Sequence, residues 1–186
     1  MSPSRPSRPS RPFFFSSSAQ ENLRRILVEW EGTPYRHHCG VKQGGADCIQ
    51  FVGRVMQEAG ALEHYDFPEY PPDWHLHQTE ERLLNGMLDL VRQGIAIAVD
   101  PDAPENGDVL LFGFGRKISR DSDERVAAHS AIYLDGQLWQ AVSGIGVLRT
   151  QYRDGQWYPR RRFAFRFLST SSIPSMPSTS PPGASL

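Results

Sequence analysis

With 186 residues, the chain is long enough for one domain with a real core. Its 20 Lys and Arg against 21 Asp and Glu leave a net charge of −1, so no strong global field draws it to nucleic acid or to an anionic membrane. Hydrophobic residues make up 39%, and no stretch approaches the roughly 18 apolar residues that would span a bilayer.

In chain order, residues 1–17 carry a Ser-Arg-Pro repeat with Arg5, Arg8 and Arg11 and are expected to be a disordered, solvated arm. Phe13-Phe14-Phe15 is too short for the apolar core of a signal peptide. Synthesis in the cytoplasm without classical secretion is therefore expected. A helix is predicted from Ser18, with Glu21 as a capping-box partner and Leu23, Ile26, Leu27 and Trp30 on one face, ending at Gly32. A second runs from near Asp47 to Gly60 with the stripe Val52, Val55, Met56 and Ala59. A third covers about 79–93 and closes at Gly94.

The pattern then changes. Asp108–Phe114, Ala128–Leu134, Gln137–Val142, Val147–Thr150 and Arg162–Leu168 read as strands. Asp135-Gly136 is a strong two-residue hairpin signal. Helices before strands predict an α+β layout, with N-terminal helices packed on a small antiparallel sheet over 18–168. Residues 169–186 are rich in Ser, Pro and Thr and read as a second disordered tail.

Cys48 stands at the start of the second predicted helix, after Gly44-Gly45-Ala46-Asp47. Asp47 can cap that helix, with Gln50 as its capping-box partner. Backbone N–H groups and the helix dipole there favour a thiolate, the attacking species of a nucleophilic cysteine. A buried structural cysteine is the alternative.

His129 opens a strand. If Asp135-Gly136 forms the loop, paired residue numbers across the hairpin sum to 271, and His129 and Gln140 become diagonal neighbours on one face. Gln140 can then accept a hydrogen bond from one imidazole nitrogen and leave the other for a thiol, the logic of a Cys-His-polar triad. Tyr35, in Gly32-Thr33-Pro34-Tyr35, can present its hydroxyl near the nucleophile or pack in a Pro-stiffened turn.

The two cysteines, Cys39 and Cys48, make no disulfide framework. Together with His37 and His38 they offer zinc-type ligands, but adjacent His37-His38-Cys39 is not a usual chelating spacing, and no metal site is predicted. His75 and His77 read as polar loop surface. No phosphate loop, dinucleotide fingerprint or nucleic-acid module is present, and no cofactor is expected.

Four motifs stand in order: Gly32-Thr33-Pro34-Tyr35, Asp47-Cys48-Ile49-Gln50-Phe51-Val52, Gly107-Asp108-Val109-Leu110-Leu111-Phe112 and His129-Ser130-Ala131-Ile132-Tyr133-Leu134. Over roughly 22–168 the chain resembles the NlpC-type cell-wall cysteine peptidases. That resemblance implies a compact papain-like α+β domain, with Cys48 as nucleophile, His129 as base, Gln140 as third polar residue, and Tyr35 and Asp47 around substrate and oxyanion. The implied substrate is the peptidoglycan stem peptide, cut between D-γ-glutamyl and meso-diaminopimelate residues. Two positions depart from the family pattern. Gln140 stands where His, Asn or Asp is usual, and Ile49-Gln50 where Ser-Gly often follows the cysteine. Tyr70-Pro71-Pro72-Asp73-Trp74 resembles the branch found in tailed phages and gene transfer agents, which implies tail-protein partners and delivery to the wall within a particle. A non-catalytic tail-tip module and an amidase or acyltransferase on the same fold are the competing readings.

Overall fold

The computed structural model describes residues 16–63, 69–71, 74–77, 79–153 and 155–168, with the side chains of Trp74 and His75 left aside. Both predicted disordered arms, apart from Ser16 and Ser17, lie outside these residues, as do Pro72 and Asp73.

Helix α1, Ser17–Trp30, buries Leu23, Ile26, Leu27 and Trp30, the stripe that its period requires. Its N-cap is Ser16, and no side chain caps it. The expected Ser18–Glu21 box is not formed, because Glu21 pairs with Arg24 instead, 2.5 Å apart. Two short strands, β1 at Gly40–Val41 and β2 at Gly45–Ala46, form a tight antiparallel ribbon that the sequence reading missed. Helix α2, Cys48–Glu58, buries Phe51, Val52, Val55 and Met56, and Gly60 at φ 78° turns the chain out of it. A four-residue helix, α3 at Trp74–His77, precedes α4 at Arg82–Arg92, which is shorter than predicted. Gly94, at φ 72°, follows α4.

Six strands make the main sheet: β3 Ala96–Val99, β4 Val109–Lys117, β5 Arg125–Leu134, β6 Gln137–Val142, β7 Gly146–Gln151 and β8 Arg161–Phe167. Their order is β3-β8-β4-β5-β6-β7, and every pair is antiparallel. The edge strand β3 was not predicted. Its four residues are too few to show a period, and pairing with β8 makes it a strand.

The β5–β6 hairpin follows the expected register: Leu134 faces Gln137, Tyr133 faces Leu138 and Ile132 faces Trp139. Asp135 and Gly136 both take positive φ, 52° and 78°, as a turn matched to strand twist requires. Arg24 of α1 donates to Asp135 Oδ2 and pins this turn to the first helix. The ladder ends at Ile132–Trp139, short of the predicted Ala131–Gln140 pair, so β5 and β6 part beyond it while β6 stays paired with β7 to Val142.

Alternation divides the core in two. Val109, Leu111, Ile132, Leu134, Trp139, Ala141, Phe165 and Phe167 pack with the helices. Leu110, Phe112, Ala131, Leu138 and Ala164 pack on the other face with Tyr152 and Trp157. Asp108, of the Gly107-Asp108 motif, is fully buried and bound in two places by the Arg166 guanidinium, each contact 2.8 Å. The pairing offsets the cost of a buried carboxylate and ties β8 to the residue entering β4. That motif is thus an anchor of the fold.

Candidate active site

Cys48 is the first residue of α2, and the N-cap before it is Asp47. Asp47 Oδ1 accepts from the Gln50 N–H at 2.9 Å, the first half of the expected capping box. The second half is absent, because the Asp47 N–H already donates to the Cys39 carbonyl. Asp47 Oδ2 accepts two further bonds at 2.6 Å, from the His38 N–H and from the Tyr70 hydroxyl. Gln50's N–H is thereby used, and the Cys48 N–H bears on its own thiol. Backbone N–H groups at a helix start suit a developing oxyanion.

Cys48 is held from the sheet side as well. Ser130 of β5 donates its hydroxyl to the Cys48 carbonyl at 2.9 Å, where β5 and β6 have parted. The helix start was expected to favour thiolate; the structure reverses that balance. Burial, then the charge of Asp47, push the Cys48 thiol up to about 12, with hydrogen-bonding groups of Ser130 and the helix backbone opposing. A dipole of about half a charge does not outweigh a full carboxylate next door in a partly desolvated place. Cys39 and Cys48 are both free thiols.

His129 precedes Ser130, so its side chain leaves the strand on the other face. Its ring stacks on Trp157 at 4.6 Å and 29°, with Phe112 and Phe114 about 6 Å away, at 6.1 and 6.0 Å. Gln140, fully buried, brings Oε1 to 2.8 Å from His129 Nε2 and gives its amide to Thr150 Oγ1 at 2.8 Å. The diagonal geometry drawn from the hairpin is therefore present. An amide oxygen can only accept, so Nε2 carries the proton and Nδ1 the lone pair. Burial lowers the imidazole to about 4, against the Gln140 bond, so the ring is neutral above that pH. No hydrogen bond joins the ring to the Cys48 thiol; among the described residues its partner is Gln140.

Tyr35 bridges to Ala46, directly before Asp47 and Cys48. Burial, then the charges of Cys48 and Asp47, raise its hydroxyl to about 12, so it remains a donor at neutral pH. Tyr70 was singled out only as part of a branch motif, yet it belongs to this cluster. Its ring lies 5.2 Å from His37 and 4.8 Å from His38. No spacing pattern could have linked it to Asp47, 23 residues earlier. His37 and His38 therefore pack on Tyr70 rather than converging with the cysteines, and no group of three or more His, Cys, Asp or Glu that could hold a metal occurs among the described residues. His77 is exposed on α3. Beside the site, a cavity of about 390 Å³ lies between α2 and α4, with Ile49, Ser130 and Tyr70 at the end nearest Cys48 and Met56, Met87 and Phe167 among its apolar walls.

No known family model and no curated protein matches the sequence. Solved structures do match the fold. One is a Staphylococcus aureus protein described as similar to a lipoprotein of the NLP/P60 family, with TM-score 0.55 and 17% identity, covering 88% of this chain and 45% of that one. Another is an NlpC/P60 family protein from Bacillus cereus, with TM-score 0.52 and 18% identity, covering 81% of this chain and 40% of that one. The chain thus spans less than half the length of either protein and shares with them the NlpC/P60-type fold.

Proposed function

We propose that the protein is a cysteine peptidase of the NlpC type that hydrolyses amide bonds in peptidoglycan stem peptides, with the D-γ-glutamyl–meso-diaminopimelate bond as its target. The observation that carries this reading is one pair of adjacent residues in β5. Ser130 binds the carbonyl of the helix-capping cysteine, and its neighbour His129 is a neutral imidazole oriented through Nε2 by buried Gln140. The fold shared with NlpC/P60 proteins supports it.

In this mechanism His129 Nδ1 takes the thiol proton of Cys48, and the sulfur attacks the amide carbonyl. The Cys48 N–H and the Tyr35 hydroxyl receive the oxyanion. The proton on Nδ1 then passes to the leaving amine, and water, activated by the same nitrogen, cleaves the thioester. The thiol–imidazole contact forms with substrate in place, as catalytic hydrogen bonds commonly tighten only in the complex. Asp47 holds the helix start. The Cys48→Ala variant, kept folded, is expected to release no muropeptides from purified sacculi; release at the parental rate would sink the reading. The Tyr70-Pro71-Pro72-Asp73-Trp74 motif supports a further placement, as the wall-opening component of a phage-like tail. Finding the protein in purified particles by peptide mass spectrometry checks that.

A second reading has one observation in its favour. The thiol pushed up to about 12, with no bond to His129, describes an unreactive cysteine and suits a non-catalytic structural module. Labelling with a small alkylating agent at neutral pH separates the two: the enzyme reading expects fast labelling of Cys48, and the structural reading a normal, slow thiol.

A further inference from the structure

Asp47 is 2% exposed and sits immediately before the candidate nucleophile. Three donors satisfy its carboxylate. Gln50 N–H belongs to α2 and His38 N–H to the loop leading into it, so both are local. The third, the Tyr70 hydroxyl, arrives from a different part of the chain. Its placement is over-determined. The ring packs against His37 and His38, and the Tyr70 carbonyl lies 2.9 Å from His37 Nε2. An aromatic ring needed only for packing requires no charged partner. Here the phenol is aimed at the carboxylate that most directly opposes ionisation of the Cys48 thiol.

The surroundings make that contact consequential. The groups that bear on the thiol are Asp47, the phenols of Tyr35 and Tyr70, and Ser130 from β5, with His129 just before it on the same strand. His37 Nδ1 lies 3.6 Å from Asp47 Oδ2. Among the described residues, the leading influences on the thiol are burial, Asp47, Ser130 and the Cys48 backbone. With little solvent present, a hydrogen bond donated to the carboxylate is the available way of drawing its charge from the sulfur. Burial and Asp47 hold the Tyr70 phenol well above its ordinary value, so it stays a donor across the working pH range.

We propose that Tyr70 is a positioning residue for the reaction: by donating its hydroxyl to Asp47 it draws the carboxylate's charge away from the Cys48 sulfur and so eases loss of the thiol proton. This rests on Cys48 being the nucleophile, and it does not require peptidoglycan as substrate.

The test is the rate of iodoacetamide labelling of the full chain at several pH values from about pH 6 to about pH 10, below the Cys48 midpoint, where the rate follows the thiolate fraction; it is read peptide by peptide so that Cys39 serves as an internal control. Tyr70→Phe keeps the ring and removes the hydroxyl. It is expected to slow Cys48 labelling at neutral pH by ~3–10-fold, which displaces the rate–pH line upward by ~0.5–1 pH unit, the size of one lost charge-assisted hydrogen bond. Asp47→Asn keeps a capping residue and removes the charge; it should move the titration downward. In the Asp47→Asn background, Tyr70→Phe should add nothing, because the two act through one carboxylate. Equal slowing in both backgrounds, no slowing in either, or no downward shift in Asp47→Asn alone each overturn the proposal. Intact coupling with no hydrolysis of sacculi would leave this inference standing and sink the peptidase reading alone.

Discussion

The two faces of the main sheet are built differently, and the candidate site draws one of its two proposed catalytic residues from each. The helix-covered face mixes aliphatic side chains with Trp30, Phe51, Trp139, Phe165 and Phe167, and joins α1, α2 and α4 around Leu23, Ile26, Val55 and Met56. Cys48 belongs to this side, at the start of α2. The opposite face is aromatic: Phe112, Phe114, Tyr152, Trp157 and Tyr158 pack edge to face or tilted. Arg153 and Arg161 lie over Tyr158, and Arg160 over Phe114. His129 and Gln140 belong there. The contrast separates two tasks. The helix-covered side holds a helix end against the sheet, whereas the opposite side fixes the plane of one imidazole by stacking and one hydrogen bond. The β5–β6 ladder ends at Ile132–Trp139, just short of Ser130, which binds the Cys48 carbonyl, and of its neighbour His129.

The largest way to break this arrangement is at the base. His129→Ala is expected to lower kcat on stem peptides by ~10²–10⁴-fold, the usual range for general acid–base catalysis. Steady-state kinetics checks this, and a loss below tenfold would remove His129 from the mechanism. Trp157→Ala empties the aromatic side without touching α2. It should cost ~3–5 kcal/mol in urea unfolding and lower turnover, yet leave the Cys48 labelling profile in place. A changed profile would show that the faces are not separate. Gln140→Ala removes one hydrogen bond to the imidazole, worth about tenfold in kcat, and leaves Thr150 without its partner. Gln140→His, the more usual residue type, tests whether glutamine limits the rate; it is expected to match or exceed the parent.

The smallest effect is in pH. His129 is lowered in the fold to about 4 from 6.5, so between these values the unfolded chain binds more protons. Stability should therefore fall as pH drops from about 6.5 to about 4 and level off below. His129→Gln should flatten that slope in thermal melts. The Cys48 thiol, raised from 9 to about 12, acts at the other end: stability should fall as pH climbs from about 9.

Much of this was legible in the chain. Leu23, Ile26, Leu27 and Trp30 declared α1 through their period, and Asp135-Gly136 fixed the hairpin register that brings Gln140 to His129. Both are local features, governed by backbone geometry over a few residues, which a sequence encodes directly. Cys48 was locatable because Asp47 is a local cap.

What only tertiary structure decided has a common physical cause. The strand β3 exists because β8 pairs with it, and Tyr70 reaches Asp47 across the gap between two helices. Trp157 meets His129 from a loop beyond β7. The acidity of Cys48 is likewise non-local. The helix dipole that argues for a thiolate is written in the sequence, but the burial that outweighs it comes from packing that no stretch of chain contains by itself.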